Sequence, residues 1–265
     1  MRKLLSHKVS IALYLLLSVF VVCWYSLLNP YLTLVYYEQS QMFQYTWTYF
    51  LQHISHPGGW INYCGLFLTQ FFYYPLIGIF IYVSIFLLLG WIFQYIIERV
   101  FLLQPFRFLT FIPALCILPV SVDVQFNIAY ILAVIIALVG FLLLMQIVKQ
   151  RYYYLTIPAL VVVLYLFIGG NVIMSILLFI SYSFLFKQQP YVRNALIIIV
   201  SWMIVLVVAW NFYLAPGKEI FFSYTPFNYP VTHHRMFYLF LWFSVILIPL
   251  IGFLLRNLKM NPRWA

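Results

Sequence analysis

Two acidic side chains are the residues of this sequence best suited to acid–base chemistry. The chain has only four acids. Glu38 lies in the longest polar interval, residues 36–59 (YYEQSQMFQYTWTYFLQHISHPGG), and Asp123 follows an apolar segment farther along. Two carboxylates on one side of a membrane could share a divalent cation or divide the roles of acid and base. Glu38 and Asp123 are therefore the candidate catalytic residues and the candidate cation ligands.

A second polar interval, residues 215–235, supplies the candidate phosphate-binding residues. They are Lys218, His233, His234 and Arg235. Ammonium, imidazole and guanidinium groups together suit a phosphate or diphosphate. The alternative is that these side chains contact lipid head groups or simply end a membrane span.

The acids and the other histidines have structural alternatives as well. Glu38 could cap an interfacial helix, and Asp123 could cap the membrane span that follows it. Both acids could also be solvated in loops. His53 and His56 are three residues apart and could bind a metal from one helical turn. Zinc needs three or four ligands, however, and the sequence shows no third ligand beside them.

The composition predicts the class of protein that positions these residues. Of 265 residues, 66% are hydrophobic and 7% are charged, whereas a soluble domain has roughly 25% charged residues. Repeated apolar runs of about 20 residues predict an all-α polytopic membrane protein. The net charge of +10 does not indicate nucleic-acid binding, because the basic residues sit in small groups between apolar runs.

We predict about eight transmembrane helices in a single transmembrane domain, residues 1–265, with membrane lipids around it. The spans are expected at 9–29, 74–96, 106–122, 126–147, 152–168, 172–186, 194–214 and 236–255, with outer loops at 30–73 and 215–235. Pro113 and Pro119 should kink the third span, because proline removes a backbone donor. The short fifth and sixth spans could place residues 169–171 below the membrane surface.

The distribution of charge predicts the orientation. Twelve of the fourteen Lys and Arg residues fall on one side of the eight-span arrangement, and only Lys218 and Arg235 fall on the other. By the positive-inside rule the amino and carboxyl termini are cytoplasmic. We expect a multi-pass protein of the bacterial inner membrane, with the polar intervals outside.

The first outer loop should contain interfacial helices. Residues 41–54 place apolar and polar side chains on opposite sides at helical spacing, which predicts an amphipathic helix in the membrane interface. The Pro57-Gly58-Gly59 sequence should end this helix. Residues 60–72 could form a second interfacial helix or a re-entrant segment.

The order of these elements resembles the GT-C glycosyltransferase membrane module. In that superfamily, an acid in the first outer loop and another in the second form the active site, and Glu38 and Asp123 occupy the corresponding places here. Asp123 is followed by Val124 and Gln125, so a DxD motif is absent. The resemblance covers residues 10–150 and implies a polyprenyl-phosphate or polyprenyl-diphosphate sugar donor.

The stretch YYEQSQMFQYTWTYFLQHISHPGGWINYCGLFLTQFF is similar to an uncharacterised family of Bacteroidetes membrane proteins with a domain of unknown function. The resemblance implies a longer protein with a helical soluble region after the spans. This chain ends at Ala265. We therefore expect either that the region is absent or that this chain is an amino-terminal piece.

Three functions remain open from the sequence. The first is a glycosyltransferase-like enzyme that acts on a lipid-linked sugar at the outer face. The second is a non-catalytic subunit that docks a protein partner there, in an envelope or secretion complex. The third is a transporter of a lipid or small solute, although charged residues are almost absent from the spans and a polar path is not evident.

Overall fold

The architecture was analysed in a computed structural model. It describes residues 2–28, 32–102, 109–123, 126–186, 191–213, 215–228 and 232–259, and only the backbone for 2–10, 28, 32–33, 191, 232–234 and 255–259. The described residues form helices and turns, without a β-strand. This agrees with the all-α class predicted from the apolar runs.

Six helices are found among the described residues of the first half of the chain. They are α1 (Arg2–Cys23), α2 (Leu32–Ser40), α3 (Trp47–Ile54), α4 (Gly59–Thr69), α5 (Pro75–Tyr95) and α6 (Ile112–Ile117). Two π-helical segments, Trp24–Leu28 and Ile96–Val100, extend α1 and α5. Short 3₁₀ turns at Gln70–Tyr73 and Val120–Val122 join the elements on either side.

Six further helices complete the described fold. They are α7 (Ala129–Ile147), α8 (Tyr153–Ile168), α9 (Val172–Leu185), α10 (Tyr191–Phe212), α11 (Gly217–Phe222) and α12 (Thr232–Lys259). Short 3₁₀ segments, Gly169–Asn171 and Pro226–Asn228, lie between α8 and α9 and after α11. Helix α7 packs against α8 and α9, and α12 packs against α6 and α9.

Five helical stretches among the described residues are long and apolar enough to cross a membrane. They are Pro75–Val100, Ala129–Ile147, Tyr153–Leu185, Val192–Phe212 and Arg235–Leu254. Two shorter apolar helical stretches are Ile11–Leu27 and Leu109–Val122. These apolar helices characterise a multi-pass membrane protein in contact with lipid. The count of eight spans and their orientation stay predictions.

The apolar stretch Tyr153–Leu185 covers the fifth and the sixth predicted spans except for one residue at each end. Helix α8 ends where Gly169 adopts φ 56° and ψ −137°, a conformation that favours glycine. A Cβ at Gly169 would lie 2.0 Å from the Ser223 Oγ atom. Glycine therefore allows both the break between α8 and α9 and the close approach of a distant loop.

Contacts between side chains define two ends of the bundle. Residues 57–59, Gly169–Asn171 and residues 217–224 contact one another, and we call this the loop end. At the opposite end, Arg99 and Lys149 line one cavity, and Arg193 lies 5.5 Å from the centroid of the Tyr153 ring. We call this the basic end.

The first polar interval differs in detail from the sequence prediction. Helix α3 begins at Trp47 rather than near residue 41, because the Thr46 side chain caps its amino terminus by accepting a hydrogen bond from the Tyr49 amide. None of the residues of α3 is buried, which agrees with an amphipathic helix at a surface. Helix α2, which precedes it, was not predicted.

Helix α4 occupies the segment predicted as a second interfacial helix, but one of its faces packs against the bundle. Gly65 and four neighbours on α4 are buried. A Cβ at Gly65 would lie 2.8 Å from the Ala129 amide nitrogen at the start of α7. One face of α4 therefore packs against α7 and α8, and its other face is exposed.

The kink predicted at Pro119 stays a prediction, and so does the kink predicted at Pro113. This residue lies in the first turn of α6, where proline does not break an existing backbone hydrogen bond. Pro119 follows the end of α6 and leads into the 3₁₀ turn Val120–Val122. Residues 106–108, which would begin this span, lie outside the described residues.

Candidate functional site at the loop end

Helix α2 carries Glu38 and is attached to the segment that carries Asp123. The Tyr37 hydroxyl lies 2.8 Å from the Ser121 carbonyl oxygen and 2.6 Å from the Asp123 carbonyl oxygen. One turn later, the Gln41 amide donates to the Phe126 carbonyl oxygen at 3.0 Å. Tyr37 is buried, so these bonds are shielded from water and fix the position of α2.

The two candidate acids therefore lie on segments that meet at one place. Glu38 directly follows Tyr37 and is half-buried, as is Asp123. The Tyr37 side chain and one hydrogen bond of 2.6 Å link the residue before Glu38 to the backbone of Asp123. Their catalytic roles stay predictions.

Neither acid occupies the N-cap position of the helix that it was expected to cap: this position is Thr46 in α3 and Ile128 in α7. The Asn127 side chain accepts from the Ala129 amide at the start of α7 and donates to Asn62 of α4, at 2.8 and 2.7 Å. Thr46 caps α3, and Glu38 lies within α2. Asn127 thus joins the first turn of α7 to α4.

A hydrogen bond, which is an ion pair when His56 is protonated, joins the two polar intervals at the loop end. His56 Nδ1 lies 3.2 Å from Glu219 Oε1, across 163 residues of sequence. The side chains are 52% and 32% exposed, so solvent screens their attraction. Lys218, the neighbour of Glu219 and a candidate phosphate ligand, is exposed.

Hydrogen bonds close the loop end around this pair. The Gly170 amide donates to Ser223 Oγ at 2.8 Å, and the Tyr165 hydroxyl donates to the Ile220 carbonyl oxygen at 2.9 Å. Deeper in the bundle, the indole of Trp242 donates to Asn171 Oδ1 at 2.9 Å. Both Trp242 and Asn171 are buried.

The start of α12 is joined to the same end through Tyr238, whose hydroxyl donates to the Tyr224 carbonyl oxygen at 2.6 Å. Arg235 precedes Tyr238 by one helical turn and is half-buried. The side chains of His233 and His234 lie outside the described part of the structure. The phosphate-binding role of the four basic residues stays a prediction.

Tyr224 is the unusual residue of this region. It has a positive φ of 57°, which is rare for a bulky side chain. Burial raises the pKa of its hydroxyl well above the usual range, and the nearby Tyr130 and Glu219 raise this pKa further. The phenol therefore stays protonated beside the Glu219 carboxylate and can only be a neutral hydrogen-bonding group there.

The structure does not bring His53 and His56 together as metal ligands. His53 Nδ1 lies 2.8 Å from the Tyr49 carbonyl oxygen, while His56 faces Glu219. No group of three or more His, Cys, Asp or Glu side chains gathers anywhere in the part of the chain that was described. The shared cation at Glu38 and Asp123 stays a prediction.

An apolar groove of about 530 Å³ runs along the bundle near the loop end. It lies between α8 and α10, and its lining includes Ile54, Ser55, Tyr165 and Tyr213. Two other lining residues, Ile204 and Val208, are 59% and 53% exposed. The groove therefore opens sideways, on a surface that faces lipid in a membrane protein.

Aromatic rings cover the exposed side of the first polar interval. The Phe43 ring contacts the rings of Tyr45, Tyr49, Tyr63 and Phe67, with centroids 4.9 to 5.6 Å apart. Tyr45 and Trp47 remain 76% and 69% exposed. We call this cluster, with Phe50, the aromatic surface. Rings of this kind suit a membrane interface or a protein partner.

Sequence reasoning missed the pairing of His56 with Glu219 and the hydrogen bonds made by Tyr37, Tyr165 and Tyr238. Both members of the ion pair lie in polar intervals, and the predicted topology assigns both to the outer side. That placement is the signal that could have suggested the pair. The tyrosine contacts have no comparable signal, because the chain has 23 tyrosines.

Comparison with known proteins identifies a family whose function is unknown. The model of the family described as "Family of unknown function (DUF6057)" matches residues 5–265. The chain therefore belongs to this family. No curated protein and no solved structure matches it.

Proposed function

We propose that this member of the family of unknown function is a membrane enzyme that transfers a sugar from a polyprenyl-phosphate donor at the loop end. The observation that supports this most strongly is the attachment of α2 to the segment after α6. The Tyr37 hydroxyl, 2.6 Å from the Asp123 carbonyl oxygen, keeps the Glu38 and Asp123 segments together. In this proposal the loop end faces outward from a bacterial inner membrane, with a cytoplasmic amino terminus.

The reaction gives each candidate residue a role. An acceptor hydroxyl attacks the anomeric carbon of the donor, and the new C–O bond forms as the bond to the polyprenyl phosphate breaks. The phosphate leaves with the electron pair, and the hydroxyl proton goes to Glu38 or Asp123. Lys218, Arg235 and the two histidines at 233 and 234 bind the phosphate. A divalent cation held by the two carboxylates would stabilise the negative charge on the departing phosphate.

The sideways-opening groove between α8 and α10 supports a lipid-borne donor. Its lining is almost entirely apolar, with Ser55 at one end, next to His56. An isoprenoid chain in this groove would exchange lipid contacts for equally apolar contacts, and its phosphate would lie at the polar loop end. A water-soluble sugar nucleotide would gain nothing from such a groove.

The test is donor consumption by the full chain in liposomes. The donors are undecaprenyl-phosphate-linked mannose and glucose, and mass spectrometry follows their loss. We expect Glu38→Gln and Asp123→Asn each to slow consumption by about 100-fold or more, the size of a general acid–base contribution. Glu98→Gln is the matched control, because it removes an acid at the basic end.

Two results would contradict the proposal. One is full activity in both Glu38→Gln and Asp123→Asn. The other is an equal loss of activity in Glu98→Gln, which would mean that removal of any carboxylate from the bundle slows donor consumption by disturbing the fold. Failure of the wild-type chain to consume either donor, with folding verified, would also count against a polyprenyl-phosphate hexose as substrate.

The aromatic surface favours a second candidate, a non-catalytic subunit that docks a protein at the loop end. None of the residues of α3 is buried, and exposed Tyr and Trp are frequent where proteins bind one another. Crosslinking from a photoreactive residue at position 47 tests it. Crosslinks to one protein, lost on Tyr45→Ala, would favour docking, whereas crosslinks to lipid alone would assign the surface to the membrane. No contact among the described residues favours the transporter.

A further inference from the structure

A second cavity lies at the basic end, on the opposite side of the bundle from Glu38 and Asp123. It has a volume of about 450 Å³ and lies between α5, α7 and α9. Its polar and aromatic lining consists of Trp91, Tyr95, Arg99, Gln146, Lys149 and Tyr182. Two cations, an amide and three aromatic rings thus surround one space.

The charge of this cavity is positive. Arg99 and Lys149 both line it, and neither forms an ion pair with another described residue. The neighbouring acid, Glu98, is not part of the lining and accepts a hydrogen bond from the Gln94 amide at 2.6 Å. Gln94 in turn accepts from Tyr14 of α1. The carboxylate therefore belongs to the α1-facing side of α5, away from the two cations.

The backbone at Arg99 departs from a regular helix. Helix α5 continues into the π-helical segment Ile96–Val100, which closes with a hydrogen bond of 3.0 Å from the Phe101 amide to the Ile96 carbonyl oxygen. Leu102 then has a positive φ of 57°. π-helical turns cost stability and are frequent at binding sites, and a positive φ at a branched residue is similarly unfavourable. Both irregularities lie beside the cavity.

The walls of the cavity differ in how they are packed and in what they face. Tyr182 is nearly buried, and its ring stacks on Phe186 with centroids 4.6 Å apart and contacts Phe101 edge-on at 5.7 Å. This wall is fixed by packing. Trp91 and Tyr95 are 60% and 48% exposed on the outside of an apolar helix, where a membrane protein meets lipid.

We propose that this cavity binds the phosphate group of an anionic phospholipid. The phosphodiester lies between Arg99 and Lys149 and accepts hydrogen bonds from both, with the Gln146 amide within the same lining. The acyl chains leave along Trp91 on the exposed side of α5. A lipid fits better than a soluble phosphate because one side of the cavity is aromatic and faces the hydrocarbon.

The experiment measures lipid retention by the delipidated full chain in native mass spectrometry. The probes are phosphatidylglycerol and phosphatidylcholine with identical acyl chains, and inorganic phosphate as a competitor. The test variant is Arg99→Gln with Lys149→Gln. The matched control is Arg151→Gln with Arg193→Gln, which removes the same charge at the same end but outside the cavity lining.

We expect the test variant to bind phosphatidylglycerol at least about tenfold more weakly, because it loses two charge-assisted hydrogen bonds and the loss of one alone weakens binding by about that factor. The control variant should retain its affinity within about twofold, since its cations are screened at a distance. Wild type should prefer phosphatidylglycerol over phosphatidylcholine. Thermal midpoints of the lipid-free variants verify that both are folded.

Three outcomes would overturn the proposal. Equal loss in the two double variants would mean unspecific attraction to the basic end, and equal retention of phosphatidylcholine would mean that the charge is irrelevant. Displacement of phosphatidylglycerol by millimolar inorganic phosphate would identify a soluble anion as the ligand.

A second measurement covers the case in which the double variant does not fold. Phosphatidylglycerol with brominated acyl chains should quench part of the tryptophan fluorescence of the wild type, and this part should vanish in Trp91→Phe. Undiminished quenching in Trp91→Phe would overturn the proposal as well.

Discussion

The loop end and the basic end of the bundle use their polar residues in opposite ways. At the loop end, segments far apart in sequence satisfy one another, as in the bonds of Gly170 to Ser223 and of Trp242 to Asn171. At the basic end, Arg99 and Lys149 surround a cavity without forming an ion pair among the described residues. The comparison indicates that these two hydrogen bonds at the loop end serve the fold, while the charges of Arg99 and Lys149 at the basic end remain available to a ligand.

This difference predicts that substitutions at the loop end lower the free energy of unfolding, whereas matched substitutions toward the basic end do not. The strongest test uses two glycines. A Cβ at Gly170 would lie 2.2 Å from the Phe221 carbonyl oxygen, whereas at Gly90 of α5 the nearest atom would be 3.5 Å away. We expect Gly170→Ala to destabilise the protein by about 3 kcal/mol, the upper range for overpacking.

Gly90→Ala is the matched control, and it should be neutral or stabilise the helix by up to about 1 kcal/mol, because alanine is the better helix former. Thermal unfolding in detergent measures both variants. Equal thermal midpoints for Gly170→Ala and wild type would show that the loop end accommodates the added methyl group without loss of stability. The proposed difference between the two ends would then be wrong.

The next largest effect concerns the buried hydrogen bond between α12 and the break after α8. Trp242→Phe keeps most of the aromatic volume but removes the donor to Asn171 Oδ1. An unsatisfied buried amide costs about 1–3 kcal/mol, and bonds between membrane helices lie at the lower end of this range. We expect a loss of about 1 to 2 kcal/mol in the free energy of unfolding.

Trp91→Phe provides the comparison at the basic end, because Trp91 is 60% exposed. It should leave the stability of the lipid-free protein unchanged. A loss as large as that of Trp242→Phe would mean that the basic end is packed as firmly as the loop end.

Features that depend on residues close together in the sequence could be predicted, whereas contacts between distant segments could not. Helices α5, α7 and α10 follow from apolar runs, which are local, and the end of α3 follows from Pro57-Gly58-Gly59. Helix α2 was missed because it lies in the polar interval, and only the bonds of Tyr37 and Gln41 to residues 121–126 reveal what it packs against. Glu38 and Asp123 could be chosen as candidates by type, but their segments could be joined only by the fold.

The same limit explains the ion pair and the basic cavity. The sequence places His56 and Glu219 in the two outer polar intervals, but their contact across 163 residues depends on how the loops pack. Arg99 and Lys149 were read as determinants of orientation, which is what charge at a span end first indicates. That they line one cavity follows from the packing of α5 on α7, which no periodicity encodes.

A smaller effect is expected from the ion pair itself. Because His56 and Glu219 are 52% and 32% exposed, a double-mutant cycle with His56→Gln and Glu219→Gln should give a coupling energy of about 0.5 kcal/mol. High salt should reduce this coupling. A coupling of several kcal/mol would mean that the pair, rather than the buried hydrogen bonds around it, closes the loop end.

The smallest effect at neutral pH concerns Tyr224, and it grows only in alkaline solution. In the unfolded chain a tyrosine ionises near pH 10, while in the folded protein burial, Tyr130 and Glu219 raise the pKa of Tyr224 well above this value. The stabilisation is therefore fully present below about pH 10 and decreases as the pH rises further, by at most about 1.4 kcal/mol per pH unit.

Tyr224→Phe should make the thermal midpoint fall less steeply between about pH 10 and 11. Tyr73→Phe is the control, because it removes the same hydroxyl group from a side chain that is 60% exposed. If both variants kept the wild-type slope, the alkaline loss would arise elsewhere, and Tyr224 would not be shielded as the closed loop end requires.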